Sequence, residues 1–447
     1  METNLTRGKP LVVILRFFFP VFLGNVFQQF YNMVDVIIVG KFVGANALAG
    51  VGSTGTIMFL VTGTCIGMAV GFSVLTSQKF GAGNEEETWR SVANGILLSF
   101  LVVLVMTVAS LMAMHKILHL MNTPKDIYQD AYDYISTICK GIGCILFYNL
   151  FSSYLRAIGN SKVPLYFLIF SSLFNIVLDL IMIVNFHLGT MGAALATSIS
   201  QGLSAVLCLI FILTRVPVLR PRRSHWRLNR EDTRAQLSVG IPMAAQYSIT
   251  ASGTMIMQSA INIFGSTAVA AFTAASKIQS LLMQGLLSIG QTMASYSGQN
   301  FGCKAIDRVE QGTRDAMKLV LVYSFIITVI ALAFMPPMLS LFFSSDVDMA
   351  QILPWDIIYV RECVVCYIPL GMIFVYRNTM QGCGYGVHAM TMGIVELLAR
   401  LIAAGLAIRL AYYPLACGAD PFAWLTGGIF GYFMYRYVMK RIKAKYT

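Results

Sequence analysis

Strongly apolar runs of about twenty residues or more recur along this chain from one end to the other, separated by short polar breaks. A helix of that length matches the roughly 30 Å hydrocarbon layer of a bilayer. In lipid, backbone polar groups must be satisfied within the span, so repeated runs of this kind specify an all-α integral membrane protein. The composition agrees. Charged residues make up 12% of the 447 residues, against about 25% in soluble chains, and mean hydropathy is +0.70. The net charge of +12 does not imply a nucleic-acid partner, because the basic residues fall in short loops between spans, where they set topology. The nine cysteines form no spaced framework. Cys139, Cys144, Cys208 and Cys383 lie inside apolar runs, and Cys363-x-x-Cys366 has neither a partner pair nor nearby histidines. No cofactor and no structural metal are expected. Arg7 and Lys9 lead almost directly into the first run without a small-residue cleavage site, so that helix is expected to be retained.

Charge and Gly/Pro punctuation predict twelve helices. They cover roughly 12–38, 47–77, 91–114, 130–154, 163–185, 190–214, 236–262, 268–297, 316–340, 356–380, 388–411 and 417–439. Twenty-three Lys and Arg fall on the side that holds both termini, Arg377 counted among them. Only Lys41, Lys116, Lys125 and Arg409 fall opposite. This bias places both termini in the cytoplasm of a cell with a plasma (inner) membrane.

The chain also repeats itself. Ser77-Gln78-Lys79-Phe80-Gly81 aligns with Gly298-Gln299-Asn300-Phe301-Gly302 at an offset of 221, and Pro20 with Pro242 at 222. Arg156-Ala157-Ile158-Gly159 aligns with Gln381-Gly382-Cys383-Gly384 at 225. The expected organisation is therefore a six-helix bundle over 1–214, a basic cytoplasmic linker over 215–235 and a second six-helix bundle over 236–447. With an even helix count in each half, the halves are parallel repeats, an arrangement typical of transporters that rock about a cleft.

Ionisable groups at bilayer depth are costly and mark function. Asp35, Asp179 and Glu396 stand out. Asn175 and Asp179 are four apart and share a helix face. Thr197 lies as far beyond the turn near Leu188 as Asp179 lies before it, so the two come level in a helical hairpin. Asp35 and Asp179 each precede their turns by nine residues, which puts both about 13 Å below the outer surface. The repeat places Ile256 or Met257 opposite Asp35 and Ala404 opposite Asp179, so the acid pair belongs to the first bundle only. Two carboxyls in apolar surroundings exchange a proton as a unit. The alternative is that each Asp only cross-links helices. Tyr31, Asn32 and Gln28 are positioned to hydrogen-bond Asp35, and Pro20 is a candidate hinge. Glu396 and Arg400, four apart, read as a self-neutralising strut. Lys140, Arg361 and Glu362 lie nearer span ends, where they can snorkel.

Helix 1 carries Gln28-Gln29-Phe30-Tyr31-Asn32-Met33-Val34-Asp35, and the turn after helix 2 reads Gln78-Lys79-Phe80-Gly81-Ala82-Gly83. Together with Gly298-Gln299-Asn300-Phe301-Gly302 and Leu155-Arg156-Ala157-Ile158-Gly159-Asn160, these resemble MATE (multidrug and toxic compound extrusion) transporters over essentially the whole chain. The resemblance implies a V-shaped pair of six-helix bundles and antiport of cationic amphipathic compounds against H+ or Na+. Within the family, Asp35, Asn175, Asp179 and Thr197 look like the first-lobe cation site of the prokaryotic DinF-related branch, with Na+ the one metal such a site would take. Tyr31, Tyr134 and Asn149 match further polar positions of that lobe. The NorM-like branch is associated with acids in helices 7 and 10. Helix 7 here has none, and helix 10 has none at cleft depth.

The expected function is thus a multidrug exporter that acts as a monomer on small-molecule substrates within the bilayer, and not an enzyme. The alternative is a lipid-linked oligosaccharide flippase of the same superfamily. An ATP-driven pump is disfavoured because no G-x-x-x-x-G-K-[S/T] occurs.

Overall fold

A computed structural model describes residues 4–121, 123–339 and 349–446. The described chain is almost entirely helical, and its helices group into the twelve expected spans. Among the described residues, seven helices are each long and apolar enough to cross a bilayer, and two bent pairs raise the number to nine. The other three spans, over 230–262, 266–302 and 419–446, are helical as well. Residues 340–348, which include the last residue of the expected ninth span, lie outside the described set.

The chain divides into two compact units. Unit 1 comprises Met1–Thr6 and Phe19–Ser248. It holds most of α1 (Pro10–Phe42), then α2 (Ala45–Ser53), α3 (Gly55–Gly81), α4 (Glu85–Leu120), α5 (Tyr128–Lys140), α6 (Ile142–Ala157), α7 (Lys162–Leu180) and α8 (Gly189–Arg215). The first half of α9 (Arg230–Asn262) completes it. Unit 2 comprises Arg7–Phe18 and Ile249–Thr447. After the rest of α9 it contains α10 (Ser266–Leu282), α11 (Gln284–Gly302), α12 (Ile306–Leu339), α13 (Met349–Val365), α14 (Tyr367–Gly382), α15 (Gly386–Leu410), α16 (Tyr413–Cys417) and α17 (Ala419–Tyr446).

The internal repeat is visible in the packing. In unit 1, α6 sits against α3 and α8, and α7 packs on α8. In unit 2, α14 sits against α11 and α17, and α15 packs on α17. The fourth span of each half is broken: α5 and α6 meet at 48°, α13 and α14 at 50°. Gly141 forms the first break because nothing larger fits there; a Cβ would lie 2.2 Å from Ser198 Oγ.

The contacts divide the chain differently from the sequence in two places. Residues 236–248 pack in unit 1 because α9 meets α3 through bare backbone: a Cβ on Gly71 would lie 2.3 Å from Gly240 Cα. Small residues allow that approach. The linker before it is docked too, not loose. Arg90 pairs with Asp232 at 2.7 Å, Asn94 Nδ2 donates to Gln236 Oε1 at 2.8 Å, and Trp89 Nε1 donates to the Pro217 carbonyl at 3.0 Å. Conversely, Arg7–Phe18 belongs to unit 2, where Arg308 donates to the Gly8 carbonyl at 3.0 Å. The division in α1 falls beside Pro20.

Candidate functional site

Three helices of unit 1 supply the site. On α1, Gln28, Tyr31 and Asp35 recur at three- and four-residue spacing, which keeps them on one face. On α7, Asn175 and Asp179 do the same, and α7 then widens into a π-turn over Ile181–Asn185 before it meets α8. On α8, Thr197 and Gln201 are again four apart. Side chains from the three helices interlock. Thr197 Oγ1 donates to Asp35 Oδ2 at 3.4 Å, and Gln201 Nε2 donates to the Tyr31 hydroxyl at 3.2 Å. Gln28 also hydrogen-bonds Tyr31. Asp179 and Asn175 are completely enclosed, and Asp35 is half-buried.

The carboxyls of Asp35 and Asp179 are close enough to interact directly. Neither carboxyl is ion-paired to a basic side chain among the described residues. Asp35 Oδ1, both Asp179 oxygens and both polar atoms of the Asn175 amide find no complementary donor or acceptor. Two carboxyls can bond each other only when one carries a proton, and two carboxylates side by side repel at this depth unless a cation sits with them. The arrangement is therefore complete only with a positive charge. Carboxylate, amide and hydroxyl oxygens are the ligands that a proton or a hard monovalent cation takes. Beside the pair is a cavity of about 10 Å³, measured as the space open to the centre of a water molecule. That is room for about one water. Tyr31, Ser171, Ser172, Asn175, Thr197 and Ser200 are among its lining residues.

The MatE family model matches residues 20–181 and 242–405, one stretch in each half and together well over half of the chain. The chain belongs to the MATE family. The probable multidrug resistance protein YoeA of Bacillus subtilis is 27% identical over 337 residues, which is 74% of this chain and 73% of that one. The FAD transporter of Shewanella oneidensis is 21% identical over 439 residues, covering 97% of this chain and 96% of that one. A MOP superfamily transporter from Pyrococcus furiosus superposes with a TM-score of 0.92 at 23% identity, covering 99% of each chain. The fold is thus the twelve-helix, two-bundle fold of MATE transporters, and the chain is a transporter, not an enzyme.

Within this MATE chain the residues singled out in the sequence fall into three groups. Asp35, Asn175, Asp179, Thr197, Tyr31 and Gln28 come together, and Tyr134 on α5 lies within electrostatic reach of both carboxyls. Asn149 does not join them; its amide donates to the Ile145 carbonyl of its own helix at 2.8 Å. Glu396 and Arg400 sit in unit 2, and there the reading as an isolated pair falls short. Arg377 NH1 donates to Glu396 Oε1 at 3.2 Å, and Arg400 Nε donates to Asp420 Oδ1 at 2.6 Å. Arg377, counted above as a topology-setting loop residue, is instead buried in α14 because Glu396 neutralises it.

Other residues were not foreseen. Ser171 extends the Asn175–Asp179 stripe by one more four-residue step, a spacing readable in the sequence, while Ser172, Ser200 and Gln201 gave no signal among many small polar residues. Asp356 on α13 is fully enclosed with both oxygens unpartnered among the described residues. Glu362 does not snorkel: its Oε2 is buried against Gly418, where it too lacks a partner. Lys140 and Arg361 are exposed.

Proposed function

We propose that this chain exports cationic amphipathic compounds across the plasma membrane in exchange for H+ or Na+, by alternating access, with both termini in the cytoplasm and as a monomer. One observation carries the coupling role: two carboxyls of unit 1, Asp179 fully buried and Asp35 half-buried, lie close together with no basic side chain paired to either among the described residues. In the outward-open state Asp35 and Asp179 take up the cation, Thr197 and Asn175 complete its oxygen shell, and the charge that would hold a cationic substrate is cancelled. In the inward-open state the cation leaves to the cytoplasm and the carboxyls are again free to favour a cationic substrate. Tyr31, braced by Gln28 and Gln201, fixes the part of α1 that bears Asp35, so loading the pair biases α1 about Pro20.

The driving force is sufficient. One charge crossing 100 mV supplies about 2.3 kcal/mol and one pH unit about 1.4 kcal/mol. Together they sustain a substrate gradient of a few hundredfold per cation. The name of the B. subtilis relative supports drugs as cargo. A flippase for lipid-linked oligosaccharides would need several cationic side chains free to grip a pyrophosphate; of the two candidates, Arg400 is committed to Asp420, which leaves Lys140 alone on the exposed surface at the end of α5.

Substrate efflux from proteoliposomes, driven first by an imposed pH gradient and then by a sodium gradient, tests the proposal and identifies the ion. Movement driven by at least one of the two is expected; movement insensitive to both would sink it.

A further inference from the structure

The internal repeat gives each site position of unit 1 a counterpart in unit 2. The offset of 225 that aligns Arg156 with Gln381 puts Arg400 in the place of Asn175 and Glu396 in the place of Ser171. The offset of 222 that aligns Pro20 with Pro242 puts Gly253 in the place of Tyr31. In unit 1 those positions, a phenol, a hydroxyl and an amide, surround the cavity beside the acid pair. In unit 2 the same positions hold a bare backbone, a carboxylate and a guanidinium.

Arg400 lies against the other two. A Cβ on Gly253 would lie 2.9 Å from Arg400 Cδ and 3.1 Å from Arg400 NH1, so the arginine runs across the uncovered face of α9 where unit 1 places the Tyr31 ring. Its Nε donates to Asp420 Oδ1 at 2.6 Å, and its NH1 lies 4.0 Å from Glu396 Oε2. The other Glu396 oxygen accepts from Arg377 at 3.2 Å. All four side chains are enclosed, with none of the residues more than 8% exposed. Two guanidiniums and two carboxylates cancel without help from any mobile ion. In unit 1 the corresponding cavity is lined by neutral groups, and the two acids beside it have no basic partner among the described residues.

We infer that Arg400 is the resident cation of unit 2: its guanidinium fills the counterpart of the unit 1 cavity beside the acid pair, Asp420 is the carboxylate that recognises it, and removing the side chain leaves a site for small guanidinium-type cations. The inference takes from the proposed function only that unit 1 accepts a cation at the acid pair beside its cavity; its tests read unit 2 alone and do not depend on transport. In this cluster of unit 2 the cation is covalently tethered and cannot leave.

A resident charge and a space-filling strut respond differently to substitution. Breaking a buried pair by deleting one partner strands the other charge, and volume alone does not repair that. The test follows the thermal midpoint of the full-length protein in detergent. Arg400→Lys keeps charge with altered shape, whereas Arg400→Met keeps bulk without charge. The expected order is wild type, then Arg400→Lys, then Arg400→Met. Arg400→Ala should unfold lower still and be rescued saturably by millimolar methylguanidinium, as a ligand that binds only the folded state requires. Equal concentrations of sodium chloride should give no such rescue, and the double variant Arg400→Ala/Asp420→Asn should not respond to methylguanidinium. If Arg400→Ala does not survive purification, Arg400→Gln takes its place in the titration. An Arg400→Met protein as stable as Arg400→Lys, or rescue by sodium chloride equal to that by methylguanidinium, would overturn the inference.

Discussion

The two units share a packing plan and differ in how each settles the charge buried between its helices. In unit 2, Arg377, Glu396, Arg400 and Asp420 neutralise one another, and the cluster needs nothing from outside. In unit 1, Asp35 and Asp179 face Asn175, Thr197 and Tyr31 with no basic group in the set, so its charge is balanced only by something that can arrive and depart. One repeat built twice thus yields a closed site and an open one. The difference rests on few positions: Asn175 against Arg400, Tyr31 against Gly253, Asp179 against Ala404.

The comparison can be broken most severely at Asp179. Asp179→Asn removes a carboxyl that cannot be replaced locally, and gradient-driven export should fall to background while the protein still inserts; efflux assays with membrane-fraction blots check both halves of that statement. In unit 2 the largest effect should be on stability and not on coupling. Arg400→Met leaves Asp420 buried without its partner, a cost of about 3–5 kcal/mol, which should lower the midpoint of thermal unfolding by several degrees. At the hinge the effect is intermediate. Pro20→Ala restores a backbone hydrogen-bond donor to α1 and should slow initial transport rates several-fold while leaving substrate binding intact, as separate rate and binding measurements would reveal. The smallest effect is expected from Gln201→Leu. It deletes one hydrogen bond to Tyr31, worth about 1 kcal/mol, and should weaken half-saturation by the coupling ion about fivefold.

Much of this was legible in the sequence, for reasons that can be located. Span length and apolarity are set by the bilayer, so the helices announced themselves, and the repeat was readable wherever Gly, Pro or Gln-x-Phe-Gly punctuation survived in both halves. Asp35 and Asp179 stood out because a charge in lipid is rare. What stayed hidden depended on which faces meet. Arg377 read as a loop residue because its partner Glu396 is nineteen positions away and on another helix. Asn149 carries the right chemistry but turns to its own backbone. Residues 236–248 looked like the start of the second bundle, yet the glycine contact between α3 and α9 holds them to the first.

The most direct measurement counts the cations that purified protein gives up when saturating substrate is added, using a pH indicator in weak buffer for protons and radiolabelled sodium for Na+. Wild-type protein should release about one cation per chain, as a site that two carboxyls share and titrate as a unit requires; Asp179→Asn should release none, and Arg400→Lys should match the wild type. Equal release from wild type and Asp179→Asn would mean that the exchangeable ion is held somewhere else.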